Sequence, residues 1–248
     1  IDGITLEGPI LDRAFLSFVG LFPIPLRHGL TMGELARLYR EGFGLDCPLS
    51  VIPMEGWRRS MAFEETGLPW VLPSPNMPTV DTAYVYPGMI LLEGTNLSEG
   101  RGTTRPFEIF GAPFLDPAET AGRLNAAGLA GVRFRAMGFK PTFDKHAGLF
   151  CGGVQLHVTD RSAFRPVLTA VAVLQEARRQ TAGQETAFRW TAPPYEYEMT
   201  RLPIDILAGS DTLRTQVEGL TPLADVETSW RGGLEEFEKL RRRILLYD

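Results

Sequence analysis

Met89 to Thr103 reads M-I-L-L-E-G-T-N-L-S-E-G-R-G-T, an apolar tetrad followed by eleven residues dense in chemistry. Those eleven, Glu93 to Thr103, hold three glycines, two carboxylates, one guanidinium, one amide and three hydroxyls. The tetrad Met89-Ile90-Leu91-Leu92 predicts a short buried strand. A buried strand that ends in Glu93 and opens into a polar Gly-rich loop is how α/β proteins build ligand sites, in the crevice outside the carboxyl ends of the strands. The plain alternative is a solvated turn, since Gly, Asn and Ser are also common turn residues.

Working outward, the chain punctuates itself into elements. Thr31-Met32-Gly33-Glu34 is a capping box that opens a helix with Leu35, Leu38 and Tyr39 on one face, fading at Gly42 and Gly44. Leu49 to Met54 is a β-like run that Pro53 ends or places at an edge. Pro73 to Pro78 is irregular. Asp116-Pro117-Ala118-Glu119 supplies an N-cap, a proline at the first helical position and a glutamate, and predicts a helix ending before Gly128. Val132, Phe134 and Ala136 alternate with Arg133 and Arg135, and Val154, Leu156 and Val158 with Gln155 and His157, as half-buried antiparallel strands do. Helices are expected from about Ser162 to Gln180 and from about Leu223 to Leu246. The fold class is therefore α/β. Residues 1–112 read as the later part of an α/β layer domain, and 113–248 as a smaller α+β domain.

Composition bounds the possibilities. The 248 residues are 44% hydrophobic, enough for a substantial core. A net charge of −5 argues against a nucleic-acid partner, and no apolar run approaches the ~18 residues of a membrane helix. Cys47 and Cys151 lack a C-x-x-C partner and read as free thiols, with an isolated disulfide as the alternative. Three histidines without metal-ligand spacing make no case for a metal, and no nucleotide loop of the G-x-G-x-x-G or Walker type is present, so no cofactor is predicted.

Five motifs, the opening run among them, point together to a family. They are P-L-R-H-G-L-T-M-G-E-L-A (Pro25 to Ala36), M-E-G-W-R-R (Met54 to Arg59), P-S-P-N-M-P (Pro73 to Pro78), the run from Glu93 to Thr103, and P-F-E-I-F-G-A-P (Pro106 to Pro113). In this order and spacing the chain resembles the NamZ-type exo-β-N-acetylmuramidases, and the resemblance continues through Phe150 to Val158 to the terminal R-I-L-L-Y. It implies a Rossmann-like three-layer first domain, an active site at the junction of the two domains, and release of N-acetylmuramic acid from non-reducing ends of peptidoglycan fragments. It also implies an extracytoplasmic location. Members carry a further N-terminal segment with a Ser-Pro-Glu-His-Gly-like motif, whereas Ile1-Asp2-Gly3-Ile4 reads as mid-domain. The first domain is then incomplete, and the absent segment, or assembly into a homo-oligomer, is expected to cover its exposed apolar face.

Glycosidic cleavage needs an acid for the leaving oxygen and a second group at the anomeric centre. Glu93 leads, because the end of a buried strand would fix its rotamer and partly desolvate it; its alternative is to bond the amides of its own loop. Glu99 either takes part directly or anchors Arg101. His28, in a loop before a helix N-terminus, is a third catalytic candidate or a loop-bonding histidine. Arg101, between two glycines, suits the lactyl carboxylate of a muramide, with Arg27 as runner-up; both have salt-bridge alternatives. Trp57 offers an aromatic face for a pyranose or fills core. Asn76, framed by prolines, reads sugar hydroxyls or caps a turn, and Thr95 and Asn96 join the substrate-binding set. Glu34 is a cap, and His146 and His157 are structural. The resemblance places one catalytic partner in the upstream Glu-His motif, so these 248 residues hold no complete catalytic pair and are expected to be inactive on their own. Two other function classes stay open: a sugar- or anion-binding protein without turnover, and a nucleotide-dependent enzyme.

Overall fold

The computed structural model describes residues 2–183 and 187–248, so the expectation at Ile1 lies outside the described residues. Strands β1 (Glu7–Ile10) and β2 (Pro25–Arg27) pair antiparallel, Glu7 opposite Arg27. Helix α1 (Met32–Arg37) opens on the predicted capping box: Glu34 N donates to Thr31 Oγ1 and Thr31 N to Glu34 Oε2. It widens into a π turn and ends at Gly42. Leu49 to Met54 forms no strand. Pro48 and Pro53 each remove a ladder donor, and Ile52 and Met54 lie in solvent.

The tetrad that was to be a strand is helical. Helix α2 (Val80–Met89) starts at Thr79, whose hydroxyl accepts from Thr82 N, and a 3-10 turn carries it on through Ile90–Gly94. Met89, Leu91 and Leu92 are fully buried, and a short apolar run suits a buried helix as well as a buried strand. What decides is the cap ten residues upstream, which commits the chain to helical dihedrals before the tetrad is reached.

Strand β3 (Ile109–Ala112) is followed by helix α3 (Pro117–Ala126), capped by Asp116 accepting from Glu119 N as its sequence requires. Strands β4 (Val132–Phe139) and β5 (Cys151–Val158) complete a three-stranded antiparallel sheet in the order β3-β5-β4. Val132 and Phe134 face the core and Arg133 and Arg135 face water, but the alternation slips there: Ala136 is exposed and Phe139 is the next buried residue.

Helix α4 (Pro166–Gln180) is the spine of the molecule, with Val167, Ala170, Val171 and Leu174 fully buried. It begins at Pro166 rather than Ser162, because the Asp160 carboxylate holds Ser162 N and Ala163 N in a turn. Gly88 lets α2 cross directly over its start, since a Cβ there would stand 1.8 Å from Pro166 O. Helices α5 (Pro203–Ala208), α6 (Thr212–Glu218) and α7 (Leu223–Arg241) close the other side. α7 stops short of Leu246, whose N–H instead donates to Glu34 Oε1 at 2.8 Å.

The main core joins α2, the sheet and α4 through Leu92, Leu97, Phe107, Phe110, Val154 and Phe164. A smaller core sets Leu38 against Phe237 and Ile244. The fold is mixed α/β, and both sheets among the described residues are antiparallel. Cys47 and Cys151 are free thiols, the first half-buried and the second buried, so no disulfide joins them. Phe18, Leu21, Ile52 and Val71 are more than half exposed. No helix among the described residues is long and apolar enough to cross a membrane.

Candidate active site

Glu93 is the penultimate residue of the 3-10 turn, and its side chain is held on both oxygens. Arg101 Nη2 donates to Oε1 in a salt bridge, and Tyr195 Oη donates to Oε2 at 2.7 Å. The same guanidinium turns its Nε to Glu99 Oε1 at 3.1 Å and lies 5.0 Å over the Phe107 ring. Burial works against the Arg101 charge, but the bond to Glu93 and the charges of Glu93, Glu99 and Asp144 outweigh it and raise the guanidinium above its ordinary value. Asp144 stands further off, 3.9 Å from Nε.

Glu99 is the more buried carboxylate, its side chain 2% exposed against 16% for Glu93. Its other oxygen receives Lys145 Nζ at 2.9 Å, and that ammonium also donates to Leu92 O at 2.9 Å. Lys145 thus ties a distant loop to the backbone that carries Glu93. A cation on each oxygen is the arrangement a buried carboxylate needs.

The Gly-rich run is therefore no solvated turn. Thr95, Ser98 and Glu99 are buried, and Ser98 exchanges backbone bonds with Gly111 on β3. The Thr95 hydroxyl donates to Leu92 O and accepts from Leu97 N. The Asn96 amide is occupied by a neighbouring strap: Nδ2 donates to Ala187 O at 2.6 Å and Oδ1 accepts from Arg189 N at 3.0 Å. Both residues shape the loop in this structure. His146 Nε2 donates to Asn96 O at 2.7 Å, a loop-to-loop bond in keeping with a structural role.

The remaining candidates gather elsewhere. Arg27, His28 and Trp57 line a cavity of about 140 Å³ with Asp2, Thr31 and Pro87. Arg27 is buried and pairs with Asp2 at 2.7 Å. His28 Nδ1 accepts from Leu30 N at 3.1 Å, and burial followed by the Arg241 charge lowers its pKa. Trp57 meets Tyr247 edge-on at 5.0 Å. Asn76 sits in a turn, its N–H donating to Ser74 Oγ at 3.4 Å. Among the described residues no hydrogen bond or ion pair joins these four to Glu93, Glu99 or Arg101.

The sequence profile described as exo-β-N-acetylmuramidase NamZ, C-terminal, matches residues 84–247, and its N-terminal counterpart matches residues 1–81. The chain belongs to the NamZ family. The peptidoglycan β-N-acetylmuramidase NamZ of Bacillus subtilis strain 168 is 46% identical over 245 residues, 99% of this chain and 56% of that protein. Two crystal structures of DUF1343 family proteins from Bacteroides fragilis NCTC 9343 share the fold. One has 29% identity and a TM-score of 0.86, covering 100% of this chain and 64% of its own. The other has 26% identity and a TM-score of 0.73, covering 99% and 63%. The chain thus spans about half the length of its curated NamZ relative and under two thirds of the two solved structures.

Within this NamZ-family chain, sequence reading missed Lys145, Asp144 and Tyr195. Lys145 carries no motif of its own. Tyr195 sits in the run P-P-Y-E-Y-E (Pro193 to Glu198), whose two tyrosines and two glutamates in six residues were the available signal.

Proposed function

We propose that the chain carries the activity named for its Bacillus relative, acting as an exo-β-N-acetylmuramidase that releases N-acetylmuramic acid from non-reducing ends of peptidoglycan fragments. The observation that carries the proposal is Glu93, a 16% exposed carboxylate oriented by donors on both oxygens, in a chain 46% identical to a muramidase. Glu93 is the group we place at the sugar. Arg101 orients it, and Glu99 with Lys145 anchors Arg101. Arg27, His28 and Trp57 form a second polar wall, which we assign to substrate binding through their common cavity.

In the longer protein, residues 1–112 would stand as part of a Rossmann-like layer and 113–248 as the smaller α+β unit. The remaining length supported by the relatives would cover the apolar side chains exposed at Phe18, Leu21, Ile52 and Val71. A second catalytic group belongs to that remainder in this scheme.

The test is hydrolysis of a chromogenic β-N-acetylmuramide by the full-length wild-type protein and by its Glu93→Gln variant. General acid–base participation is worth roughly 10²–10⁴-fold, so the variant should lose at least ~100-fold while staying folded. Activity within a few-fold of wild type at unchanged Tm would remove Glu93 from the chemistry. One observation favours a second reading, a saccharide- or anion-binding protein without turnover: both oxygens of Glu99 are engaged by cations, so Glu99 does not serve as a second reacting carboxylate beside Glu93. Saccharide binding without release by wild type would select it.

A further inference from the structure

We infer that Tyr195 is a positioning residue for Glu93, its phenol fixing the plane of the carboxylate that faces the substrate. This role rests on the muramidase reading above. The terminal torsion of a glutamate is broad, so one donor leaves the carboxylate free to swing. Here Arg101 takes Oε1 and Tyr195 takes Oε2 from a different part of the chain, and the two together define the plane.

The backbone around Tyr195 is built to deliver that hydroxyl. The strap before it is zipped onto the Glu93 loop: Thr191 N donates to Gly94 O at 2.9 Å, Asn96 N to Arg189 O at 3.1 Å, and Thr95 bridges Trp190. Directly after comes a two-residue hairpin in which Tyr195 and Glu198 exchange backbone bonds of 2.8 Å. Its central residues, Glu196 and Tyr197, have φ of 45° and 69°, a left-handed pair that normally selects Asn and Gly.

Both side chains are exposed, and the one ring contact of Tyr197 among the described residues is edge-on to Phe18, itself exposed, at 5.2 Å, so core packing does not demand those residues there. Strain held in place by its surroundings beside a charged cluster is a feature of functional sites. Glu198 holds the far side: its carboxylate accepts from Thr200 N, Thr200 Oγ1 and Arg201 N, which takes its pKa down to about 2. Burial, followed by the Glu93 charge and bond, raises the Tyr195 phenol far above its ordinary range. That keeps it a hydrogen-bond donor at neutral pH and makes it a poor acid, which is why its role is to position.

Tyr195→Phe keeps the ring and deletes the donor. Two measurements on the protein test it: the titration of Glu93 followed by carboxylate ¹³C shifts, and kcat, KM and the pH profile on the chromogenic β-N-acetylmuramide. Losing a donor to the ionised oxygen should raise the Glu93 midpoint and move the acidic limb of kcat/KM upward. It should also lower kcat by roughly 10- to 100-fold with KM within about threefold, as for a group acting on the transition state through its neighbour. A 3-fluorotyrosine at 195, a stronger donor with the same packing, should move the midpoint the other way. Thr191→Val removes the hydroxyl bond from Thr191 Oγ1 to the Glu93 backbone O at 3.4 Å, loosening the strap without touching Oε2, and should lower Tm while leaving the midpoint in place. A Glu93 midpoint unmoved by both Tyr195 changes overturns the inference. Failure of the full-length wild type to cleave the muramide overturns the muramidase reading instead, and the titration still decides the Tyr195–Glu93 contact.

Discussion

Lys145 Nζ lies 2.9 Å from Glu99 Oε2, an ion pair across 46 positions of sequence with the carboxylate side chain 2% exposed. The pair closes a chain of alternating charge, Lys145, Glu99, Arg101, Glu93, in which each inner member touches both its neighbours.

Lys145→Met should therefore destabilise the fold more than a surface lysine would. It leaves Glu99 buried with Arg101 alone and removes one of the donors to Leu92 O, and removing one partner of a buried pair typically costs ~3–5 kcal/mol. Because Lys145 is itself 22% exposed and Arg101 remains, about 3 kcal/mol in urea unfolding is the expected loss. A change below about 0.5 kcal/mol would mean the contact contributes no more than a solvent-exposed pair.

Arg101→Ala should depress turnover of a muramide and of the matching N-acetylglucosaminide alike. The Nε and Nη2 edge of the guanidinium faces Glu93 and Glu99, so its loss misplaces the carboxylate whichever sugar is bound. Arg101→Lys should be nearly as damaging, because an ammonium cannot reproduce the planar fork between two carboxylates. A deficit confined to the muramide would show that Arg101 reads the lactyl carboxylate, the role its flanking glycines suggested.

Glu7 supplies a pH dependence. Burial raises its carboxyl from 4.5 to about 7, against the opposing effects of the bond from Leu168 N and the charges of Arg27 and Arg165. The folded protein thus keeps a proton that the unfolded chain has already released. Stability from this group is full below pH ~4.5, falls as pH rises toward 7 and is constant above, a change of roughly 3 kcal/mol at about 1.4 kcal/mol per unit. Denaturant unfolding of wild type minus Glu7→Gln should show that decline between pH 4.5 and 7. Parallel curves for the two proteins across this window would refute it.

Gly102→Ala should cost more than its conformation alone explains. Its φ is 77°, and an added Cβ would stand 2.7 Å from both Phe143 N and Phe143 O. Gly128, with φ 74° and nothing within 4 Å of its Cβ position, is the control. Gly128→Ala should lose about 1–2 kcal/mol from the left-handed backbone only. Gly102→Ala should lose more and also reduce activity, since it pushes away the loop that brings Lys145 to Glu99. Equal losses at the two sites would mean that Phe143 moves aside freely.

Elements fixed by local chemistry were legible in the sequence, and those fixed by distant partners were not. The Thr31–Glu34 box, the Asp116–Pro117 start and the alternation at Val132 to Arg135 each formed as read, because cap and period act within a few residues. Met89 to Leu92 was misread because four apolar residues have no period, and Leu49 to Met54 because two prolines outweigh its β-branched content. In the candidate site, Glu93, Glu99 and Arg101 share one loop, which is why the sequence groups them and the structure shows them in contact. Tyr195 and Lys145 reach it only through tertiary folding, and the Arg27, His28 and Trp57 group makes a cavity of its own.

The contacts of Glu93 also bear on the order in which the molecule assembles. Its phenol partner is 102 positions away, and the Asn96 bonds that anchor the same strap span 91 and 93. Closing loops of that length carries an entropic penalty before any bond repays it, and native contacts of high sequence separation slow folding. The capped helices and the hairpin between β4 and β5 can form while the strap is still loose. The carboxylate should then acquire its final orientation only in the last cooperative step, so substitutions at Asn96, Thr191 and Tyr195 should speed unfolding and leave the refolding rate nearly unchanged.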